Sequence, residues 1–156
     1  MKQAQADLKG VTLISTEILD LAGHAVNGVD PANEYVIAIS VLANKPAKNV
    51  SVGYNIKLAN GVVVYGTSSA LQERFFNFSA GQTITARFSF KPNLALGMYF
   101  LSSGAAESLT PDDEVHNYVM LDFVHDAIPF VVVAKPASGI TRLPGHLVSL
   151  EAIEAL

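Results

Sequence analysis

Val50-Ser51-Val52-Gly53-Tyr54-Asn55-Ile56-Lys57-Leu58 decides the fold. Val50, Val52, Tyr54, Ile56 and Leu58 fall on one face, and Ser51, Gly53, Asn55 and Lys57 on the other, which is the period of a half-buried strand. Two residues later stands Asn60-Gly61, a pair that tolerates the positive φ angles of a tight hairpin turn. Val62–Gly66 then returns as the partner strand. A β-hairpin therefore lies near the middle of the chain.

The same period recurs on either side. Gln82–Lys91 places Ile84, Ala86, Phe88 and Phe90 inward and Thr83, Thr85, Arg87 and Ser89 outward. Glu34–Asn44 is apolar on both faces apart from Ser40, as a central strand covered on both sides would be. Gly10–Leu21 and Met98–Ala106 read as further strands, and Pro129–Ala134 as a buried one. Gly, Pro, Asn and Asp punctuate Ala22–Pro31, Asn44–Asn49 and Pro92–Gly97, while Thr67–Ala80 is a longer connection carrying Phe75, Phe76 and Phe78. Thr110-Pro111-Asp112-Asp113-Glu114 has the form of a helix start, leading to a short helical turn or an extended crossing through Leu121. Seven or eight strands with almost no helix predict an all-β fold, an antiparallel β-sandwich. Residues 1–9 read as an N-terminal extension, 10–134 as the sandwich and 135–156 as a tail. The tail reads either as an amphipathic helix through Leu147, Leu150 and Ile153 or as a dimerising segment exchanged with a second copy.

Composition narrows the function classes. The 156 residues are 50% hydrophobic and 15% charged, enough for one domain with a sizeable core and too few charges for disorder. The net charge is −4 and no basic run is present, so nucleic acid is not an expected partner. There is no cysteine, which removes disulfides, thiolate metal sites and a cysteine nucleophile. Met1–Asp7 lacks the apolar core of a signal peptide, and the longest apolar run, Ile128–Ala134, is far below the ~20 residues that span a bilayer. A soluble domain is expected.

Catalytic patterns are weak. No glycine-rich loop ends in Lys-Ser/Thr, so neither an ATPase nor a dinucleotide site is expected. His24, His116, His125 and His146 are scattered. Asp112-Asp113-Glu114 suits either calcium or, more simply, the positive end of a helix. Gly66-Thr67-Ser68-Ser69-Ala70 is a degenerate nucleophile elbow with Asp122 and His146 downstream, but that motif needs a strand running into a helix on a mostly parallel sheet. No catalytic residue, metal or cofactor is therefore expected. The outward Asn55, Lys57, Arg87 and Ser89 offer hydrogen bonds suited to sugar hydroxyls, and Tyr65, Tyr99 and Tyr118 offer ring faces. The same pattern is also what the solvated side of any sandwich presents.

An ordered series of motifs goes further. Val52-Gly53-Tyr54-Asn55-Ile56-Lys57 runs into Asn60-Gly61 and then Val64-Tyr65-Gly66-Thr67. Ala80-Gly81-Gln82, Leu94-Ala95-Leu96-Gly97-Met98-Tyr99 and His125-Asp126-Ala127-Ile128-Pro129-Phe130-Val131-Val132 follow in order. Over roughly Val50–Pro144 this resembles the C-terminal carbohydrate-binding domain of the ATP-binding subunit of bacterial O-antigen ABC transporters. The resemblance implies an immunoglobulin-like or jelly-roll sandwich that does no chemistry. Such a module recognises the finished, non-reducing end of a lipid-linked O-antigen polysaccharide and so licenses its export. It further implies a homodimer at the cytoplasmic face of the inner membrane, with an ATP-binding domain and a transmembrane transporter subunit as partners. Residues that touch sugar do not follow from the motifs. Strand alternation instead nominates Asn55, Lys57, Arg87 and Ser89, on one face if their strands share a sheet, with Tyr65, Arg74 and Tyr118 near its edges. Lys57, Arg74 and Arg87 would meet an anionic group. A generic interaction or structural sandwich is the alternative.

Overall fold

The computed structural model describes residues 10–110 and 117–133. Nine strands run in chain order: β1 (Val11–Asp20), β2 (Gly28–Val29), β3 (Tyr35–Ala43), β4 (Ala47–Leu58), β5 (Val63–Ser68), β6 (Phe76–Phe78), β7 (Thr83–Phe90), β8 (Gly97–Ser108) and β9 (Tyr118–Val132). One 3-10 turn, Ser69–Gln72, follows β5. The strands form two sheets: β1-β3-β7, and β2-β9-β8-β4-β5 with β6 added beside β4. The all-β sandwich expected from the sequence is the fold observed.

Alternation builds the core. Ile37, Ile39 and Val41 of β3 meet Val50, Val52 and Ile56 of β4, Leu101 of β8 and Phe130 of β9, all sealed from water. Removing these faces from solvent is the main force holding the sheets together. Phe130 also stacks on Tyr99 and meets the edge of Phe90, with centroids 5.7 and 6.0 Å apart, which ties β9 and β8 to β7 of the other sheet.

The central hairpin closes through a three-residue loop. Gly61 N–H donates to the Leu58 carbonyl at 2.9 Å, Leu58 N–H donates to the Val62 carbonyl at 2.9 Å, and Gly61 has φ +87°. That left-handed residue is where glycine is required. β3 is the central strand of the three-stranded sheet, yet its outer face, with Val36, Ser40 and Leu42, is only half-covered.

Local pairing refines the reading further. In β1 the register shifts between Leu13 and Ser15, so Ile14 is turned outward while Ile18 returns to the core. A bulge flips the inward set from odd to even positions. The freed Leu13 N–H donates to Asp122 Oδ2 at 2.8 Å, so this buried carboxylate bridges the two sheets. Within Ala22–Pro31, read as loop, Gly28 and Val29 pair in parallel with β9. Finally, of the helical turn and the extended crossing read through Leu121, the extended one is found over Tyr118–Leu121, because Tyr118, Val119 and Met120 pair with Ser108, Glu107 and Ala106. A non-local ladder outweighs local helix signals there. The acidic triplet at 112–114, His116, and the tail with His146 lie outside the described residues.

Candidate functional site

The outer face of the six-stranded sheet carries a groove whose shape follows from pairing. Because Val50, Val52, Tyr54 and Ile56 point into the core, Ser51, Gly53 and Asn55 point away from it. Register then lines up cross-strand rows: Ser68, Gly53, Gly104 and Phe123 in one; Ser51, Ala106 and Met120 in the next; Ser108 and Tyr118 in the last. The β4 and β8 members of each row are small, and the β9 members are bulky. A floor of glycine, alanine and serine beside a wall of Tyr118, Met120 and Phe123 leaves a groove of about 230 Å³.

Two glycines make that floor possible. A Cβ on Gly104 would lie 2.9 Å from Phe123 Cδ2, so the bare backbone lets the phenylalanine ring lie across it. A Cβ on Gly53 would lie 2.6 Å from the Thr67 carbonyl oxygen and 2.7 Å from Ser68 Cβ. The Ser69 hydroxyl fixes this approach by accepting the Val52 N–H at 3.0 Å. Asn55 Oδ1 and Ser108 Oγ, both on residues lining the groove, are buried without a hydrogen-bond partner among the described residues. Such atoms are costly to leave unmatched. Tyr118 stands 64% exposed at the rim.

A second concavity, of about 540 Å³, lies where edge strand β5 of one sheet approaches edge strand β7 of the other. Tyr65, Thr67, Gln72 and Arg74 line one side, and Thr85, Arg87 and Ser89 line the other. The 3-10 turn delivers Arg74: Glu73 adopts φ +56°, and Arg74 N–H donates to the Ser69 carbonyl at 2.8 Å. Aromatic packing supports the base, with Tyr54 6.1 Å from Tyr65 and edge-on to Phe88 at 5.3 Å. Burial pushes the Tyr54 phenol well above its usual range, and the nearby Tyr65 adds to the shift.

Lys57 belongs to neither. Its Nζ lies 3.3 Å from Asp126 Oδ1. Asp126 sits at φ +49° beside a β8–β9 register shift, and its N–H donates to Ser102 Oγ at 2.9 Å.

With this geometry in hand, comparison with known proteins identifies the family. The sequence pattern of the family described as "Wzt C-terminal domain" matches residues 2–143. The chain belongs to that family. The crystal structure of the C-terminal domain of wzt superposes with a TM-score of 0.78 at 22% identity, over 92% of this chain and 86% of that one. At that identity the likeness establishes the shared fold. Two others overlap more loosely: the Pseudomonas fluorescens DNA glycosylase AlkC bound to DNA containing an abasic site analog, and the CARDB domain of PF1109 from Pyrococcus furiosus in complex with di-metal ions. They reach TM-scores of 0.49 and 0.42 at 10% and 15% identity, covering 85% and 82% of this chain and 33% and 98% of theirs. No curated protein sequence matches the chain.

This Wzt C-terminal domain divides the residues nominated from sequence. Asn55 and Lys57 stand on the six-stranded sheet, Arg87 and Ser89 on the three-stranded one, so the single shared face is not formed. Asn55 and Tyr118 both line the groove, in rows towards its opposite ends; Tyr65, Arg74, Arg87 and Ser89 line the edge cleft. Sequence reasoning missed Ser51, Gly104, Ser108 and Phe123, and did not nominate Gly53. Glycine inside a strand was the available signal, since it marks close approach of a ligand or another backbone. Two members of the degenerate nucleophile-elbow pattern have structural positions: Ser69 Oγ holds the Val52 amide, and Asp122 holds the β1 bulge. Among the described residues no three His, Asp or Glu side chains gather to hold a metal ion.

Proposed function

We propose that this domain is a non-catalytic carbohydrate-binding module, and that its groove takes the non-reducing end of a lipid-linked O-antigen polysaccharide. The observation carrying this reading is a pair of buried oxygens without a hydrogen-bond partner among the described residues, one towards each end of the groove: Ser108 Oγ in the row of exposed Tyr118, and Asn55 Oδ1 beyond Gly53. Sugar rings have an apolar C–H face and a rim of hydroxyls. Tyr118 and Phe123 suit the face, and rotation about one side-chain torsion would turn either oxygen toward a hydroxyl. The volume, below the roughly 300–1,000 Å³ of drug-sized sites, fits one ring at a chain end better than a long segment. Family membership supports the transporter setting.

The mechanism is binding without chemistry. Occupation of the groove would contribute a free energy coupled to the nucleotide cycle of an attached ATP-binding domain, which drives export through a transmembrane subunit. On this reading residues 10–134 are the binding unit, the domain works as a homodimer, and it acts at the cytoplasmic face of the inner membrane.

Saturation-transfer NMR against intact and end-trimmed O-polysaccharide from the source strain tests the reading. Transfer centred on the terminal residues, lost on trimming, is expected. A folded domain that transfers none to the intact polymer overturns it and leaves a protein-docking sandwich, for which exposed Leu109, Tyr118, Val119 and Met120 would be the contact surface.

A further inference from the structure

The edge cleft differs from the groove in charge. Arg74 and Arg87 both line it, and among the described residues no Asp or Glu does. Neither guanidinium has an ion-pair partner among the described residues, whereas Lys57 and Lys91 are taken up by Asp126 and Glu34. Glu73 precedes Arg74 in sequence without lining the cleft. Glu17 shares a cross-strand row with Arg87, but buried Ala38 stands between them. Two unmatched arginines facing one concavity are conspicuous in a chain of net charge −4.

We propose that the edge cleft binds an anionic substituent carried on a saccharide, either a sugar carboxylate or a phosphate ester. Planar guanidinium forks match the paired oxygens of both groups. Thr67, Gln72, Thr85 and Ser89 surround the arginines with neutral hydrogen-bonding groups, which suit sugar hydroxyls. Tyr65, 50% exposed, supplies a ring face to the same space. The shared oxyanion chemistry follows from the arginines alone; the saccharide rests on the carbohydrate-binding reading above.

The test is an NMR titration of the whole chain, observing the Nε–H resonances of Arg74 and Arg87. The probes are methyl glucoside, methyl glucuronoside, glucose 6-phosphate and inorganic phosphate. One or both charged sugars should shift the arginine resonances, and methyl glucoside should not. Arg74→Gln and Arg87→Gln, both at exposed positions, should each weaken that binding roughly tenfold with unchanged melting. Raised salt should weaken it as well. Equal shifts from methyl glucoside, silence from both charged sugars, or unaltered affinity in both variants would overturn the proposal. Inorganic phosphate binding as tightly as either sugar would overturn its saccharide half. The Asn55 side-chain amide reports the groove in the same spectra under intact polysaccharide. Silence there with arginine shifts present would remove the groove reading and leave the anion site standing.

Discussion

The groove and the edge cleft are made by different means. The groove is cut within one sheet, where small residues of β4 and β8 pair directly and bulky residues of β9 flank them. Its shape is therefore a property of backbone register, and it carries little charge. The cleft opens between two sheets, and its character comes from two arginines set at the end of a 3-10 turn and on an edge strand. Changes to backbone packing should act on the first, and changes to charge on the second.

Gly53→Ala should have the largest effect. Its Cβ would meet backbone at 2.6 Å, and backbone cannot step aside as a side chain can. Overpacking of this kind costs ~1–3 kcal/mol, and each kcal/mol lowers the melting temperature by about 2–4 °C in a chain of this size. Gly66→Ala, one β5 residue short of the same crowding, meets Asn55 Cβ at 3.5 Å and the Tyr54 carbonyl oxygen at 3.7 Å, both ordinary contacts, and should melt within about 2 °C of the parent. Thermal melts of the pair decide the matter. Equal melting would mean that the floor is not held by close backbone approach.

Asn55→Leu comes next and separates stability from recognition. The replaced acceptor has no partner, so a side chain of similar size and no polar atoms should leave melting unchanged or raise it. Terminal-sugar affinity should fall about tenfold, the value of one lost hydrogen bond near 1.4 kcal/mol. Calorimetric titration alongside a melt measures both. Lower melting with intact binding would place Asn55 in the scaffold and break the distinction.

Legibility from sequence follows the same division. The faces of β4 and β7 were readable because alternation is local, and so was the hairpin, because Asn60-Gly61 fixes its turn within a few residues. Which strands share a sheet was not readable. Arg87 sits on β7 beside β3, and Asn55 on β4 beside β8, because pairing joins residues far apart in sequence. The bulge in β1 was hidden for the same reason, and the choice between a helical turn and an extended crossing at Tyr118–Leu121 stayed open: each depends on a partner element. Arg74 reaches the cleft only through Glu73 in the left-handed region, a conformation that its sequence does not announce.

Tyr54 lines both concavities and offers a probe of the boundary between them. Burial raises its folded pKa, so the neutral phenol is favoured in the folded state. The stability tied to this group is complete below its unfolded value near 10 and is lost as pH rises above that value toward the folded pKa. Tyr54→Phe should therefore match the parent at neutral pH and fall less steeply above pH ~10 in denaturant titrations. Parallel alkaline profiles would mean that the phenol is hydrated through one of the two openings.

The smallest effect should come from Lys57→Met, and its smallness is informative. The Lys57–Asp126 pair is half-exposed on the Asp126 side, with the carboxylate at 54% exposure, so screening holds its worth to ~0–1 kcal/mol. Removing the ammonium leaves a carboxylate that water can solvate, and the apolar stem that packs at Lys57 is kept. Melting should fall by no more than about 2–4 °C. Affinity for a charged sugar should stay within about twofold of the parent, against roughly tenfold for Arg87→Gln. The contrast rests on partnership: Lys57 is already paired with Asp126, and Arg87 has no carboxylate partner among the described residues. If Lys57→Met weakened the charged sugar as much as Arg87→Gln, overall positive charge and not the arginine forks would govern binding, and the cleft would lose its claim to be a site.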